Sequence, residues 1–235
     1  MEKHLVIYYI ATSNYKNGFS FFKKNLPYLF PEMRKTIVIL SDGLSEWDNV
    51  IEGNITYKVY HIEHFCWPIV TLFKMKHILD HKIDCDYAMY MNADLHYNKN
   101  CNVSLNELLD LTKLNVSRHF NSNVDKLLDN RDFENVDSSS ISYIDKPYTY
   151  VHAGLFIGTS DIFFKMCEDV CDMVEKDLYK NIIPQWHDES YLNKWCVENQ
   201  SLVVKNKKLI AHTRFDDNIP FAIIYTIYKD KWIKK

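Results

Sequence analysis

The N-terminal part of the chain alternates between two kinds of apolar pattern, and this alternation is the strongest constraint on its fold. Four β-rich apolar runs predict strands at residues 4–10, 35–42, 55–62 and 86–91. Apolar residues at helical intervals predict helices at residues 19–30 and 69–82. The resulting β-α-β-β-α-β order predicts an α/β fold of the Rossmann-like type, in which helices cover the faces of a mostly parallel central sheet.

The second half of the chain has a less regular pattern. Residues 121–147 are polar and predict a long loop, a strand is predicted at 150–160, and a helix is predicted at 161–180. A loop of this length in a compact domain is usually functional or mobile. Because no internal repeat or low-complexity linker divides the chain, we predict a single domain over residues 1–235 that ends in a basic tail at 221–235.

Composition argues against two classes of protein. The chain has 28 basic and 31 acidic residues and a net charge of −3, which argues against a nucleic-acid-binding protein. It has no apolar run of about 20 residues, the length needed to cross a membrane, and the apolar run near the N-terminus lacks a small-residue cleavage site. The six cysteines form no CxxC pair, which fits reduced thiols in the cytosol. We therefore expect a soluble cytoplasmic protein.

Two polar side chains follow directly after the fourth predicted strand. The apolar run DYAMYM ends in Asn92-Ala93-Asp94, and mostly parallel sheets bind ligands beyond the C-terminal ends of their strands. Two carboxylates at such a point commonly hold a divalent metal, but here the first position is an amide. Three interpretations remain open: an altered metal site, a site that works without metal, and an ordinary turn, which Asn and Asp both favour.

A second polar group, Trp186-His187-Asp188-Glu189, follows a proline-containing loop. Acidic residues in the first turn of a helix interact favourably with its dipole, and this alone would explain Asp188 and Glu189. The same residues also suit a sugar-binding pocket. A Trp ring offers a stacking plane, one carboxylate can bind hydroxyl groups, and another can face an anomeric carbon. These residues by themselves leave both interpretations open.

Three segments of the chain resemble one enzyme family. WHDESYLNKW is similar to the signature of glycosyltransferase family 6, the family of the histo-blood group A and B transferases and α-1,3-galactosyltransferase. YVHAGLFIGT resembles the donor-specificity strand of that family, and DYAMYMNAD lies where those enzymes have an aspartate-x-aspartate motif. The order and spacing of all three agree. The resemblance implies a GT-A fold and the retaining transfer of galactose or N-acetylgalactosamine from a UDP-sugar to the 3-hydroxyl of a galactoside.

The resemblance also implies roles for individual residues. Residues 1–95 would mainly bind UDP, with donor contacts from Ala11, Thr12, Tyr15, Trp67, Lys74, Asn92, Ala93 and Asp94. Residues 96–220 would bind the donor sugar through His152, Ala153, Gly154 and Asp188, and the acceptor through Trp186, His187 and Asp216. Lys74 stands where the mammalian members usually have Arg. Because Lys lacks the bidentate fork of Arg, its grip on sugar or phosphate should be looser.

Glu189 would have the catalytic role. Retention at an anomeric centre needs two inversions, or the shielding of one face while the leaving group and the acceptor share the other. A carboxylate below the oxocarbenium-like carbon serves either route, as a nucleophile or as an electrostatic stabiliser. Both routes stay open at this point.

Further expectations concern the metal, the donor and the acceptor. Asn92 removes one charge from any inner coordination shell, so we expect no divalent metal or other cofactor. Lys74 and the tail lysines, Lys231 above all, would instead offset the charge of the leaving UDP. In the family that the chain resembles, this strand packs against the 2-substituent of the donor sugar. The resemblance therefore implies that Gly154 leaves room for an acetamido group and favours UDP-N-acetylgalactosamine (UDP-GalNAc), although His152-Ala153 looks more like the galactosyltransferases.

The acceptor is expected to be a galactose-terminated oligosaccharide, with or without fucose, or a lipid-linked precursor in a bacterial cell. Three alternatives remain: a galactosyltransferase that uses UDP-galactose, a UDP-sugar hydrolase, and a UDP-sugar-binding protein without transfer activity.

Overall fold

The central sheet of the computed structural model joins strands from both halves of the chain. The structure describes residues 2–97, 109–121, 126–127, 138–212 and 224–226. Within these ranges the sheet has 11 strands. They are β1 (His4–Ile10), β2 (Arg34–Ser41), β3 (Ile51–Glu52), β4 (Ile55–His61), β5 (Tyr87–Met91), β6 (Leu95–Tyr97), β7 (Leu114–Asn121), β8 (Lys126–Leu127), β9 (Val151–Thr159), β10 (Val203–His212) and β11 (Ile224–Thr226). Their spatial order is β3-β4-β2-β1-β5-β9-β7-β10-β11-β6, and β8 pairs with β7.

Helices cover both faces of this sheet. The α-helices of the described ranges are α1 (Phe19–Asn25), α2 (Ile69–Leu72), α3 (Lys74–Asp80), α4 (Ser160–Tyr179) and α5 (Asp188–Glu198). The strands and helices predicted from apolar patterns are confirmed, with two differences in the helices. The helix predicted at 19–30 ends at Asn25. The helix predicted at 69–82 is interrupted at Phe73, where α2 ends and α3 begins.

The antiparallel strand β9 separates two groups of parallel strands, and the short strands β3, β6 and β8 also pair antiparallel with their neighbours. Strands β4, β2, β1 and β5 pair in parallel, and so do β7, β10 and β11. Between these two groups, β9 runs antiparallel to both β5 and β7. The first residues of β9 therefore lie beside the last residues of β5. The fold is α/β of the GT-A type, with a mostly parallel sheet in a single domain, as predicted. The assignment of residues 1–95 to UDP binding, of 96–220 to the donor sugar and the acceptor, and of 221–235 to a basic tail stays a prediction.

Burial on both faces explains the uninterrupted apolar runs. Along β1, the side chains of Leu5, Ile7 and Tyr9 pack in the same core cluster as α1, while Val6 and Tyr8 pack with α3, α4 and α5 on the other face. All five are fully buried. A strand covered on both sides has no polar face, and it therefore lacks the alternating pattern of a half-exposed strand.

A buried carboxylate attaches the segment that precedes β9 to the helices. Asp177 of α4 is fully buried, and its Oδ2 accepts hydrogen bonds from the hydroxyls of Ser140 at 2.6 Å and Tyr191 at 3.0 Å. The backbone N–H of Ile141 donates to both carboxylate oxygens at 3.0 Å. These bonds fix the last part of the loop predicted at 121–147 against α4 and α5.

Two of the predicted site residues, Asp216 and Lys231, lie outside the described residues. Within the described ranges, none of the helices combines the length and the apolar character that crossing a membrane requires.

Candidate active site

A cavity of about 390 Å³ opens where β1 and β5 end and where β9 and α5 begin. Its lining includes most of the residues predicted from the sequence, namely Thr12, Tyr15, Trp67, Lys74, Asn92, Ala93, Asp94, His152, Ala153, Gly154, Trp186, His187, Asp188 and Glu189. The sequence analysis missed other lining residues, namely Ile10, His64, Phe65, Val70, Thr71 and Tyr90. The tertiary structure thus brings segments from five separate parts of the chain to one edge of the sheet.

A tight turn places the two acidic residues at the very start of α5. His187 has a positive φ of 52°, and its N–H donates to the carbonyl of Pro184 at 3.1 Å. Asp188 and Glu189 follow in the first helical turn. The dipole of α5 therefore favours both carboxylates, and both also line the cavity. The structural and the functional interpretations of this pair are compatible.

The side chain of Asn193 holds α5 against β9. Its Oδ1 accepts a hydrogen bond from the N–H of Val151 at 2.9 Å, and its Nδ2 donates to the carbonyls of Val151 and Glu189, both at 2.9 Å. Asn193 is fully buried. Because one amide binds both backbone groups of Val151, the start of β9 has a defined position relative to the first turn of α5.

Glu189 reaches across this junction. Its Oε2 accepts a hydrogen bond from the backbone N–H of Ala153 at 2.8 Å. A hydrogen bond to a charged acceptor is stronger than a neutral one, so the carboxylate is well oriented. Its position in the cavity wall allows it to face a bound ligand.

Asp188 forms a buried ion pair with Lys74. Nζ of Lys74 lies 2.5 Å from Oδ2 of Asp188, and it also donates to the carbonyl of Ala153 at 2.9 Å. Burial lowers the pKa of Lys74, but Asp188, Tyr90 and Glu189 together raise it by more, so the pKa of this lysine lies above its ordinary value. The charge of Lys74, considered above as a partner of the diphosphate, is already balanced by Asp188.

Asn92 is oriented by Tyr90 from inside the protein. The hydroxyl of Tyr90 donates to Oδ1 of Asn92 at 2.7 Å. Burial raises the pKa of Tyr90 to about 12, so this hydroxyl stays protonated at neutral pH. The backbone N–H of Asn92 donates to the carbonyl of Gly154 at 2.8 Å. Both contacts fix the end of β5 next to the start of β9.

The residues at this point do not fit the two-carboxylate metal site of GT-A enzymes. In an amide, the oxygen is the atom that binds a hard cation. In Asn92 this oxygen, Oδ1, also accepts a hydrogen bond from the Tyr90 hydroxyl. Asp94 supplies one carboxylate and is mostly buried. Among the residues described, there is also no group of three or more His, Cys, Asp or Glu side chains that could hold a metal ion. The donor set therefore carries one negative charge where a pair of carboxylates carries two.

Aromatic rings form one rim of the cavity. The rings of Trp67 and His187 meet edge to face, with their centroids 4.4 Å apart. The side chain of Trp67 is 69% exposed, so its indole can stack on a sugar ring at the mouth of the cavity. Burial lowers the pKa of His187, with Asp188 opposing this effect. The imidazole is therefore neutral at pH 7 and suited to hydrogen bonding with uncharged hydroxyls.

The opposite end of the cavity contains Thr12, whose hydroxyl forms a hydrogen bond of 3.0 Å with Nδ1 of His64. Ala11 is fully buried and does not line the cavity. Its N–H donates to the carbonyl of Leu40 and its own carbonyl accepts the hydroxyl of Ser41. The structure therefore places Ala11 behind the cavity wall, and a direct contact with uridine stays a prediction.

His64 and Tyr90 are the missed residues with the clearest polar roles. His64 comes three residues after β4 ends, and its position beyond the C-terminal end of a predicted strand was a signal that could have revealed it. Tyr90 lies within the apolar run DYAMYM. Its pattern is that of a core residue, and only the tertiary structure shows that its hydroxyl reaches Asn92.

Gly154 allows two side chains to come close to the backbone of β9. A Cβ atom at this position would lie 2.7 Å from Nδ1 of His152 and 2.8 Å from Nδ2 of Asn92, and nearer still to Cε1 of His152. The N–H of Gly154 donates to Nδ1 of His152 at 3.0 Å. The imidazole thus fills part of the space that the missing side chain leaves.

The α/β sheet with its antiparallel β9, and the cavity at the ends of its parallel strands, fit a glycosyltransferase of the GT-A class. The model of glycosyltransferase family 6 matches residues 33–222 of the chain, and the protein belongs to this family. It is also similar to the O-antigen biosynthesis glycosyltransferase WbnI of Escherichia coli, with 27% identity over 207 residues that cover 84% of each chain.

Proposed function

We propose that this family 6 enzyme transfers N-acetylgalactosamine from UDP-GalNAc to the 3-hydroxyl of a galactoside, in α-1,3 linkage, with retention and without a divalent metal. The observation that supports this most directly is the position of Glu189. Its carboxylate accepts the Ala153 N–H at 2.8 Å in the wall of the cavity that Asn92, Asp94 and Gly154 also line.

In the proposed reaction the bond between the anomeric carbon and UDP breaks, and its electron pair leaves with UDP. Glu189 stabilises the positive charge that develops at the anomeric carbon, or forms a transient ester with it. The acceptor oxygen then bonds to the anomeric carbon, and its proton passes to a phosphate oxygen of the departing UDP. Asp188, held by Lys74, binds hydroxyls of the donor sugar. Both routes give a product with the configuration of the donor.

Metal independence is proposed from the chemistry of the donor set. Asn92 replaces a carboxylate, and its oxygen accepts the Tyr90 hydroxyl at 2.7 Å. Because Lys74 is paired with Asp188, the positive charge opposite the leaving diphosphate is assigned to the basic tail, with Lys231 as the main candidate. Preorganised protein cations can stabilise a leaving group in this way.

We assign the choice between UDP-GalNAc and UDP-galactose to residues at the start of β9. Gly154 has no side chain next to Asn92, which favours a sugar with an acetamido group. The second candidate is α-1,3-galactosyltransfer from UDP-galactose. It is favoured by the resemblance of His152-Ala153 to galactosyltransferases and by the His152 ring, which fills part of the space beside Gly154.

The acceptor is proposed to be a galactose-terminated oligosaccharide of a bacterial surface polysaccharide, with or without fucose, in a soluble form or on a lipid carrier. The similar Escherichia coli protein is described as an O-antigen biosynthesis enzyme, which supports a glycan acceptor of this kind. Trp186, His187 and Asp216 are the proposed acceptor contacts. Synthesis of such a precursor is consistent with a cytoplasmic location.

UDP release tests this proposal. The purified enzyme is incubated with UDP-GalNAc or UDP-galactose, with and without galactosides, and the anomeric configuration of any product is determined by NMR. Galactoside-dependent UDP release and an α-linked GalNAc product are expected. A strong preference for UDP-galactose would favour the second candidate. Equal UDP release with and without acceptor would indicate a hydrolase, and tight binding without any UDP release would indicate a binding protein.

A further inference from the structure

Tyr90 has a buried ring and a hydroxyl group that reaches the cavity wall. The ring stacks on Phe156, with centroids 5.2 Å apart and an interplanar angle of 25°. Nζ of Lys74 lies 4.5 Å from the centroid of the Tyr90 ring. These contacts hold the ring from both the core and the cavity, so the position of the hydroxyl is determined by the packing of β5 and β9.

The hydroxyl of Tyr90 determines which end of the Asn92 amide faces the cavity. It donates to Oδ1 of Asn92 at 2.7 Å, and the nearby cation of Lys74 makes the phenol a better donor and a poorer acceptor. The opposite atom, Nδ2, lies 2.8 Å from the point that a Cβ of Gly154 would occupy. An amide nitrogen is a donor only. The space beside Gly154 is therefore bordered by a hydrogen-bond donor.

We infer that Tyr90 is a positioning residue for donor specificity, which holds Asn92 so that its amide nitrogen donates a hydrogen bond to the 2-substituent of the donor sugar. This inference rests on the proposed function. The carbonyl oxygen of an acetamido group is a strong acceptor and matches this donor. A flipped amide would present its oxygen and would suit the hydrogen of a 2-hydroxyl. By excluding the flipped orientation, Tyr90 favours UDP-GalNAc over UDP-galactose.

The test measures the affinities of UDP, UDP-galactose and UDP-GalNAc by isothermal titration calorimetry for the wild type and for Tyr90→Phe. The substitution keeps the ring, its stacking on Phe156 and the cation of Lys74 near its face, and it removes the hydroxyl with its contacts to Asn92 and Lys74. We expect the affinity for UDP-GalNAc to fall by roughly 3- to 10-fold, the size of one hydrogen bond. The affinity for UDP-galactose should change much less, and that for UDP not at all.

A matched control is Tyr8→Phe. Tyr8 is the Cα partner of Tyr90 in the β1–β5 register and is also buried, but its hydroxyl donates to the carbonyl of His81 at 3.4 Å and does not line the cavity. This variant should keep the affinities for all three ligands. Asn92→Ala should reproduce the selective loss of Tyr90→Phe, and the double variant should add nothing to it, because the two residues act as one unit.

An unchanged ratio of the affinities for UDP-GalNAc and UDP-galactose in Tyr90→Phe would overturn the role of Tyr90 in donor specificity. It would not contradict the proposed function. A wild type that binds neither UDP-sugar would instead overturn the proposed function and this inference with it. Thermal unfolding of each variant shows whether it is folded. If Tyr90→Phe does not fold, the selective effect of Asn92→Ala decides the question.

Discussion

Lys74 and Asp188 are 114 residues apart in the sequence, yet Nζ of Lys74 lies 2.5 Å from Oδ2 of Asp188. Their side chains are only 7% and 8% exposed. The pair joins α3 to the first turn of α5, and Lys74 also binds the carbonyl of Ala153 in β9. One ion pair thus connects three elements that form the cavity, and it places Asp188 in the proposed donor site.

The first prediction concerns the stability that depends on this pair. Lys74→Met should lower the free energy of unfolding by about 3–5 kcal/mol, because it leaves the Asp188 carboxylate buried without a partner. Urea unfolding followed by circular dichroism measures the change. Lys74→Arg, which keeps the positive charge, serves as the control and should lose much less stability.

The double variant Lys74→Met/Asp188→Asn separates the cost of an unpaired charge from the cost of lost packing. Removing both charges should restore most of the stability lost in Lys74→Met. If the double variant were as unstable as the sum of the two single variants, the charge explanation would be wrong.

The second prediction concerns catalysis by Glu189. Glu189→Gln keeps an oxygen that can accept the Ala153 N–H and removes the negative charge. Turnover should fall on the order of 10²-fold or more, as expected when a major electrostatic group is removed, while UDP-sugar affinity is largely kept. Glu198→Gln, at the exposed end of the same helix, is the matched control and should keep full turnover. Near-normal turnover of Glu189→Gln would refute the catalytic assignment.

The third prediction concerns donor choice at Gly154. A methyl group there would press on His152 and Asn92 and occupy space next to the 2-substituent of the sugar. We expect the ratio of kcat/KM for UDP-GalNAc over UDP-galactose to fall by roughly tenfold, the effect of one methyl group in a tight pocket.

Gly158→Ala is the control for this substitution. Its Cβ would lie 3.2 Å from the carbonyl oxygen of Lys113 and 3.3 Å from Cα of Leu114, and this backbone has little freedom to move. The variant should lose about 1–3 kcal/mol of stability through overpacking and keep the donor ratio of the wild type. A similar shift of donor ratio in both variants would show that the effect does not depend on contact with the sugar.

The fourth prediction concerns the metal. Because Asn92 and Asp94 offer one carboxylate in place of two, transfer should proceed undiminished in excess EDTA, and added Mn²⁺ should change the rate little. A family member with two aspartates at these positions is the positive control for the chelator. Loss of activity in EDTA with recovery in Mn²⁺ would contradict the proposal.

The same proposal assigns the positive charge at the leaving group to the tail. Truncation before Lys229 should therefore lower turnover far more than it lowers the melting temperature, and Lys231→Ala should account for most of the loss. The activity and thermal unfolding of both variants are compared with those of Lys146→Ala, which removes a lysine from outside the active-site cavity. Equal losses of activity in all three variants would count against a specific role of the tail.

Local sequence patterns were sufficient to predict the strands and helices that have continuous apolar surfaces. The predicted strands correspond to β1, β2, β4, β5 and β9, and α4 was predicted to within a residue at each end. The strand β7 was missed, because it contains buried polar residues. Asn115 is fully buried and uses its side chain to bind the carbonyl of Asp110 at 2.7 Å. The sequence of β7, LNVSRHFN, alternates apolar and polar residues only over its first four positions, which is a weak strand signal.

The sequence by itself determined which residues were available for chemistry, because motif spacing placed Asn92, Asp94, Asp188 and Glu189 at the ends of predicted elements. Only the tertiary structure decided how they meet. The antiparallel insertion of β9 beside β5 brings Ala153 to Glu189, and the packing of α3 brings Lys74 to Asp188. These contacts join residues far apart along the chain, and local propensity carries no information about such pairs. They form because the sheet and its helices bury their apolar faces together, which leaves the polar ends of those elements at one common edge.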